Sequence, residues 1–320
     1  MKSDIIIVIP VYNDWESLHQ LLTEIEKSIG EGFTRQYIIV NDSSETEPAL
    51  SDFPIINSPV ILLEANRNIG HQKAIAAGLA YANDNCEIDY CVVMDSDGED
   101  KPDDINTLIN TSKNVNGVVF ARRSKRSEGL LFRLFYGIYK IIFFLLTGKQ
   151  ISFGNFCIIP QKYLSKIVYV PDIWNHFSGG IIRSGIPYTS VSTKRGIRYF
   201  GKSKMNFVKL ILHGLSAVSV YADFMAVRLI LLSFFLIIFT LIGIFIVAFI
   251  RLFTHLAIPG WATFTVLGLG IILFLAFLLG LLLLFNVLSM KTHKPVIPAK
   301  DYKDYIIEVT TLFPDEPIHR

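Results

Sequence analysis

The chain has 320 residues, 51% hydrophobic and only 18% charged, and its 30 Lys and Arg against 28 Asp and Glu leave a formal charge of +2. That balance excludes a partner gathered by bulk charge, so no nucleic acid is expected. Cys86, Cys91 and Cys157 lack metal-site spacing, and an odd count in a cytosolic domain needs no disulfide.

Residues 4–10 are a β-branched run that predicts a strand. Asn13 with Glu16 three residues later has the pattern of a capping box, and helical periodicity follows over residues 15–29. Further strands are expected at residues 37–40, 60–63, 90–94 and 118–121. The Ala-rich residues 73–83 read as a helix, and Pro102 suits the first position of the next one. Strands alternating with helices predict an α/β fold with a doubly wound, mostly parallel sheet.

Ligands of such sheets sit beyond the carboxyl ends of the strands. Asp14, Asp42, Asn68 and the segment Asp95-Ser96-Asp97-Gly98-Glu99 all fall there. Alternate acids leaving a strand end suit a divalent cation shared with a phosphate, since magnesium takes one or two protein carboxylates and leaves its other positions to substrate and water.

Residues 196–203 fit the P-loop spacing, with Gly196, Gly201, Lys202 and Ser203 in place. We reject that reading. Nearly all expected strands precede the segment, and Ile197, Arg198, Tyr199 and Phe200 are bulky for a loop whose backbone must cradle phosphates.

Composition shifts after about residue 222. Residues 229–250 and 262–290 carry no charge, and about 20 apolar residues span a bilayer, so two membrane helices are expected. Basic residues flank the pair on both outer sides: Lys194, Arg195, Arg198, Lys202, Lys204 and Lys209 before it, Lys291, Lys294, Lys300 and Lys303 after it. This excess predicts both termini in the cytosol. Residues 130–146, apolar except for Arg133 and Lys140 and carrying Tyr136 and Tyr139, suit a helix lying in the headgroup layer, and residues 206–222 a second. The expected organisation is a sheet-bearing part over residues 1–128, its remainder with interfacial helices over 129–222, a transmembrane hairpin over 223–290 and a cytosolic tail over 291–320. The hairpin offers a surface for homo-oligomers.

Four segments in this order resemble the GT-A glycosyltransferases of family 2. They are Val8 to Asp14 (Val-Ile-Pro-Val-Tyr-Asn-Asp), Ile38 to Ser44 (Ile-Ile-Val-Asn-Asp-Ser-Ser), Asn66 to Gln72 (Asn-Arg-Asn-Ile-Gly-His-Gln) and Met94 to Pro102. The Gly-His-Gln form and the basic stretch from Arg195 to Lys204 are similar to the polyprenyl-phosphate glycosyltransferases, the subgroup of dolichol-phosphate mannose synthase and bactoprenol glucosyltransferase. The resemblance covers residues 4–290.

It implies roles position by position. Pro10, Tyr12, Asp14, Asp42 and Asn68 would line the nucleotide-sugar pocket, with Asp42 on the base. Asp95 and Asp97 would hold Mg²⁺ or Mn²⁺, with Glu99 as a third ligand. Arg122 and Arg133 would receive the acceptor phosphate, and Arg195, Arg198 and Lys204 would close on phosphates near the membrane. The donor would be a UDP- or GDP-linked sugar, the acceptor a polyprenyl phosphate, and the reaction inverting. The location implied is the bacterial inner membrane.

The chain departs from the pattern in places. Asp14 stands where glutamate is usual, Gly98-Glu99 where Leu-Gln is common, and Lys101 where proline is. Asn155 aligns with a carboxylate often proposed as catalytic. The amide need not disable the reaction. A phosphate monoester with a second pKa near about 6 is already largely dianionic at neutral pH and needs no base. Two alternatives stay open. One is a family 2 transferase with another glycan acceptor, against which stand only two spans and the lack of a Gln-x-x-Arg-Trp-type segment. The other is a degenerate membrane scaffold, against which stand Asp95 and Asp97.

Overall fold

Eight strands hydrogen-bond into one sheet: β1 (Ser3–Val11), β2 (Phe33–Asn41), β3 (Val60–Ala65), β4 (Tyr90–Val93), β5 (Val118–Arg123), β6 (Cys157–Pro160), β7 (Tyr188–Thr193) and β8 (Ile306–Phe313). This computed structural model describes residues 3–30, 32–46, 56, 58–123, 137, 141, 143–145, 147–148, 154–201, 214–254, 258, 260–292 and 294–313. It divides into a unit of Met1–Leu134, Ile151–Val220 and Pro295–Arg320 and a unit of Phe135–Gln150 and Tyr221–Lys294.

The strand order is β7-β5-β6-β4-β1-β2-β3-β8. β1 pairs in parallel with β2 and β4, β2 with β3, and β5 with β7. Only β6 and β8 run antiparallel to their neighbours. The expectation of a mostly parallel sheet is therefore met. Because β6 runs backwards, its start lies at the edge where β1, β2, β3, β4, β5 and β7 end. Residue 155 just before β6 thus shares an edge with the acids that follow β4.

β1 is buried on both faces, as expected for a strand covered by helices on each side. Ile6, Val8, Ile38 and Val40 share a core with Ala74, Ala77 and Leu79 of helix α2 (His71–Asn85). Ile5, Ile7, Ile9 and Ile39 share the opposite one with Leu18, Leu21 and Leu22 of α1 (Trp15–Ser28) and with Ile105 and Leu108 of α3 (Asp103–Asn114). Two short helices, α4 (Gln161–Ile167) and α5 (Phe177–Arg183), lie between β6 and β7.

Two local expectations are corrected. The cap of α1 is Asp14, without a side-chain capping bond. Asn13, at φ 51°, instead accepts the Glu45 N–H at 2.7 Å and donates its own backbone N–H to Ser44 Oγ at 2.9 Å. The capping-box residue is therefore used to tie the β1 end to the β2 end. The second correction concerns residues 291–320, expected as a tail. They include a helical turn, Pro298–Asp301, and β8, which adds to the β3 edge. Tyr302 is buried against Tyr81 of α2 with the rings edge to face at 6.5 Å, and Asn66 donates its backbone N–H to the Tyr305 carbonyl at 2.9 Å.

The second unit holds two 32-residue helices, α6 (Ala222–Phe253) and α7 (Trp261–Thr292). Gly243 faces Leu269, and Gly280 faces Ser233, so small residues set the contact between them. Ser233 and Thr240 donate their hydroxyls to carbonyls one turn back, Leu229 at 2.8 Å and Leu236 at 2.7 Å. Only 17% and 6% of the most apolar stretches of α6 and α7 are buried. Both helices are long and apolar enough to cross a membrane, and unlike soluble core helices they turn their Phe and Leu side chains outward. Of residues 130–146 only 137, 141 and 143–145 are described, all of them helical, and of residues 206–222 the described part is 214–222, helical over 214–219. Arg228 donates to the Leu145 carbonyl at 2.6 Å.

Candidate active site

The site is built at the C-terminal edge of the sheet. β4 delivers Asp95, Asp97 and Glu99 within a single turn, and each finds a different cationic or proton-bearing partner. Arg198 joins two strand ends: its Nη1 lies 2.8 Å from Asp97 Oδ2, and its Nη2 pairs with Asp14 beyond β1. Arg195 grips Glu99 with two bonds, Nε at 3.0 Å and Nη2 at 2.5 Å. His71 Nε2 stands 3.1 Å from Asp95 Oδ1 and 3.1 Å from the Asn155 amide nitrogen.

The basic segment after β7 is held by its backbone as well as by its arginines. Gly196 N–H donates to the Glu99 carbonyl at 2.8 Å, and Tyr199 N–H to the Asp97 carbonyl at 3.1 Å. This docking explains the Gly98-Glu99 departure. Gly98 has φ +80°, and a Cβ there would lie 2.4 Å from the Tyr199 ring, while a Cβ on Gly196 would lie 2.3 Å from the Gly98 carbonyl. Two side-chain-free residues allow the turns to touch, and Glu99 supplies the counter-charge for Arg195. The described part of the rejected P-loop segment, residues 196–201, is thus a strap packed on the acids, and its Gly196 and Tyr199 N–H groups face carbonyls.

Electrostatics follow from crowding. Burial raises the Asp97 pKa, the Asp95 carboxylate raises it further, and the Glu99 N–H and Arg198 pull it back only in part. Partial burial works against a charged His71, but Asp95 outweighs it with help from Asp42 and Asp97, and the imidazole pKa is raised. Asp42 is raised by burial, although it accepts the N–H groups of Ile69 at 2.6 Å and Gly70 at 3.0 Å. Its carboxylate therefore shapes the turn into α2. In the same turn, Gln72 accepts the Phe177 N–H at 2.6 Å and holds the start of α5.

The geometry brings together Asp14, Asp95, Asp97, Glu99, Asn155, Arg195 and Arg198. Tyr12 lies half-exposed at the β1 end and Asn68 is exposed ahead of α2, while Pro10 is buried inside β1 opposite Val40. Arg122 is exposed on β5 in register with Ser192 of β7. Arg133 and Lys204 lie outside the described residues. The expected three-acid metal set is not assembled: among the described residues no three His, Cys, Asp or Glu side chains converge to hold an ion, because Glu99 turns to Arg195. His71 was not singled out from sequence, although the Gly-His-Gln segment that carries it was.

The model of glycosyl transferase family 2 matches residues 6–167. An uncharacterized glycosyltransferase, YkcC of Bacillus subtilis (strain 168), is 29% identical over 296 residues, 86% of each chain. The undecaprenyl-phosphate 4-deoxy-4-formamido-L-arabinose transferase of Photorhabdus laumondii subsp. laumondii is 28% identical over 221 residues, and the match spans 64% of each chain. Mannosyl-3-phosphoglycerate synthase from Rubrobacter xylanophilus superposes with a TM-score of 0.49 at 11% identity, over 69% of this chain and 73% of that one. The family match runs from inside β1 to the end of α4, through the acids of β4 and through Asn155, and this chain accordingly belongs to glycosyl transferase family 2.

Proposed function

We propose that this chain is a membrane-anchored, inverting glycosyltransferase that moves a sugar from a UDP- or GDP-linked donor to a polyprenyl phosphate. The observation that carries the reading is the strand-end cluster in which Asp95 and Asp97 crowd while Asp97 shares Arg198 with Asp14. Opposed acids and guanidinium groups at one sheet edge suit a donor diphosphate with its counter-ion. Two helices with outward apolar faces suit an acceptor whose tail stays in lipid, and several relatives are named undecaprenyl-phosphate transferases.

The residues fit a divalent cation through Asp95 and Asp97. The Asp95 carboxylate raises the proton affinity of Asp97, and a nearby dication relieves that repulsion. Mg²⁺ or Mn²⁺ held there would neutralise charge on the departing nucleoside diphosphate. Glu99 is left to anchor Arg195. Arg198 and Arg195 sit where they can exchange their carboxylates for phosphate oxygens, and Arg122 at the end of β5 is exposed to receive the acceptor head, a role proposed for Arg133 as well. The acceptor phosphate oxygen attacks the anomeric carbon as the bond to the diphosphate breaks. A dianionic phosphate gives up no proton, so an amide at Asn155 suffices where a carboxylate base would be needed for a hydroxyl. The reading puts the catalytic unit and both termini on the cytosolic side, as the basic flanks of the hairpin indicate.

The test is a panel of labelled UDP- and GDP-sugars incubated with membranes containing the protein, followed by lipid extraction. A labelled lipid that releases sugar under mild acid is the expected result. Label confined to protein, polysaccharide or free sugar would refute the acceptor assignment.

A further inference from the structure

Residues 173–222 hold seven Lys and Arg and none of the chain's 28 acids, in a protein whose formal charge is only +2. The strap after β7 lies in this acid-free stretch, and its two faces differ. On the inner face Arg195 pairs with Glu99, Arg198 pairs with Asp97 and Asp14, and the Gly196 and Tyr199 N–H groups donate to the carbonyls of Glu99 and Asp97. With these neighbours held inward, Ile197 projects outward at 89% exposure, and Phe200 is 44% exposed. Single exposed apolar residues are ordinary on a protein surface. Here an isoleucine is fixed outward by bonds on both sides, a phenylalanine stands three residues on, and the exposed Lys194 precedes them. Lys202, Lys204 and Lys209 follow in the sequence. An apolar tip inside a basic segment matches the headgroup layer of an anionic bilayer, where the side chains enter the acyl boundary and the cations stay at phosphate level. The chain also keeps this surface within reach of such a bilayer. Arg183, the last residue of α5, donates to the Val220 carbonyl, and the apolar helix α6 begins two residues later at Ala222.

We propose that the tip of the strap, Ile197 with Phe200, inserts into the surface of an anionic bilayer. This rests on the membrane-anchored reading above and adds the surface by which the sheet edge meets lipid. The residues beside the inserted tip bond to Asp97 and Glu99, so a strap held at the bilayer holds the edge that carries those acids there too. A polyprenyl phosphate then presents its head beside the arginines of the strap while its tail stays in lipid. A second copy of this chain is a poorer occupant, because two copies of one basic strap repel.

The experiment places a nitroxide spin label at Ile197→Cys or Phe200→Cys in the full chain, on a Cys86→Ala background because Cys91 and Cys157 are buried. Glu87→Cys, exposed in the turn that leads into β4 at the opposite sheet edge, is the control. Each protein is reconstituted in nanodiscs of phosphatidylcholine with phosphatidylglycerol, and in nanodiscs of phosphatidylcholine alone. Power saturation compares collision with oxygen, which concentrates among acyl chains, and with a nickel chelate, which stays in water. In the anionic discs oxygen should prevail at 197 and 200 and nickel at 87, and the oxygen preference at 197 should fall in the neutral discs and at high salt. Nickel access at 197 equal to that at 87 would overturn the proposal. So would a label at 197 shielded from both reagents, the sign of a protein partner or a second copy, and so would equal depth in both kinds of disc. A second arm measures transfer to undecaprenyl phosphate in the anionic discs. Ile197→Asp should raise acceptor KM about tenfold, the order expected when one apolar side chain leaves lipid, while Ile197→Leu stays near wild type. With a short-chain, water-soluble isoprenyl phosphate the aspartate variant should match wild type, and an equal loss on both acceptors would overturn the lipid role. A wild-type protein that makes no lipid product removes the acceptor reading and leaves the spin labels to decide the docking. A chain that does not co-purify with the discs overturns the membrane reading and this proposal with it.

Discussion

Gly98→Ala tests the docking of the basic strap on the metal-linked turn. The perturbation has two separable parts. Gly98 sits at φ +80°, where an L-residue costs about 1–2 kcal/mol. Its new Cβ would also stand 2.4, 2.5 and 2.7 Å from three atoms of the Tyr199 ring, closer than any real contact. The ring must leave, and it is partly buried against the core that holds residues of α1 and α3. Losing part of that burial adds about 1 kcal/mol at ~25 cal/mol per Å². The total of about 2–3 kcal/mol corresponds to a fall of roughly 4–12 °C in unfolding temperature for a domain of this size. Displacing Tyr199 also pulls on the Tyr199 N–H bond to Asp97 and on Arg198, so donor KM should rise.

The assay is thermal unfolding in detergent of Gly98→Ala, Tyr199→Ala and the double variant, with donor KM for each. In the Tyr199→Ala background only the backbone cost remains, so Gly98→Ala should there cost about 1–2 kcal/mol. An unfolding temperature within a degree of wild type would refute the backbone argument. Equal losses in both backgrounds would refute the contact between Gly98 and Tyr199.

Three further outcomes follow from the site. Asp97→Asn should abolish transfer while leaving the protein folded and inserted, and near-normal activity, or full activity in EDTA, would remove the metal mechanism. Asp42 has a raised pKa in the folded protein, so it binds its proton more tightly there than in the unfolded chain, and its contribution to stability is lost as pH rises from about 4 through the raised value. The difference in unfolding temperature between Asp42→Asn and wild type should therefore climb with pH between about 4 and 7, and a decline would contradict the sign. Asn155→Asp should give no large gain at neutral pH, and wild-type transfer should drop below about pH 6 as the lipid phosphate takes up a proton; a gain of about a hundredfold or more in a pH–rate profile would show that a base is missing.

The sheet was legible where signals are local. β1, β2, β3, β4 and β5 are apolar runs bounded by turn residues, and each was placed to within a few residues. α6 and α7 follow from the absence of charge. The capping box was misread because Asn13 has a competitor that a local pattern does not include: its carbonyl goes to the Glu45 N–H, 32 residues away. β6 escaped because Cys-Ile-Ile-Pro is only four residues and ends in proline. β8 escaped because its partner β3 lies about 240 residues earlier, and because the membrane helices before it invite its reading as a tail.

At the site, the acids were visible and their partners were not. The resemblance implies Glu99 as a third ligand, yet its two-point bond to Arg195 makes it an anchor, and that pairing spans 96 residues. The Gly98-Glu99 departure looks like two changes in a metal motif when only that motif is considered. With the strap in place it is one change: glycine makes room for the Tyr199 ring, and glutamate holds the arginine on the same strap. His71 obeys the same rule, since its meaning lies in Asp95 and Asn155, 24 and 84 residues on. Substitutions that look like losses in a motif should therefore be judged against the residues they face across the strand ends, and here both Gly98-Glu99 and Asn155 have such a counterpart.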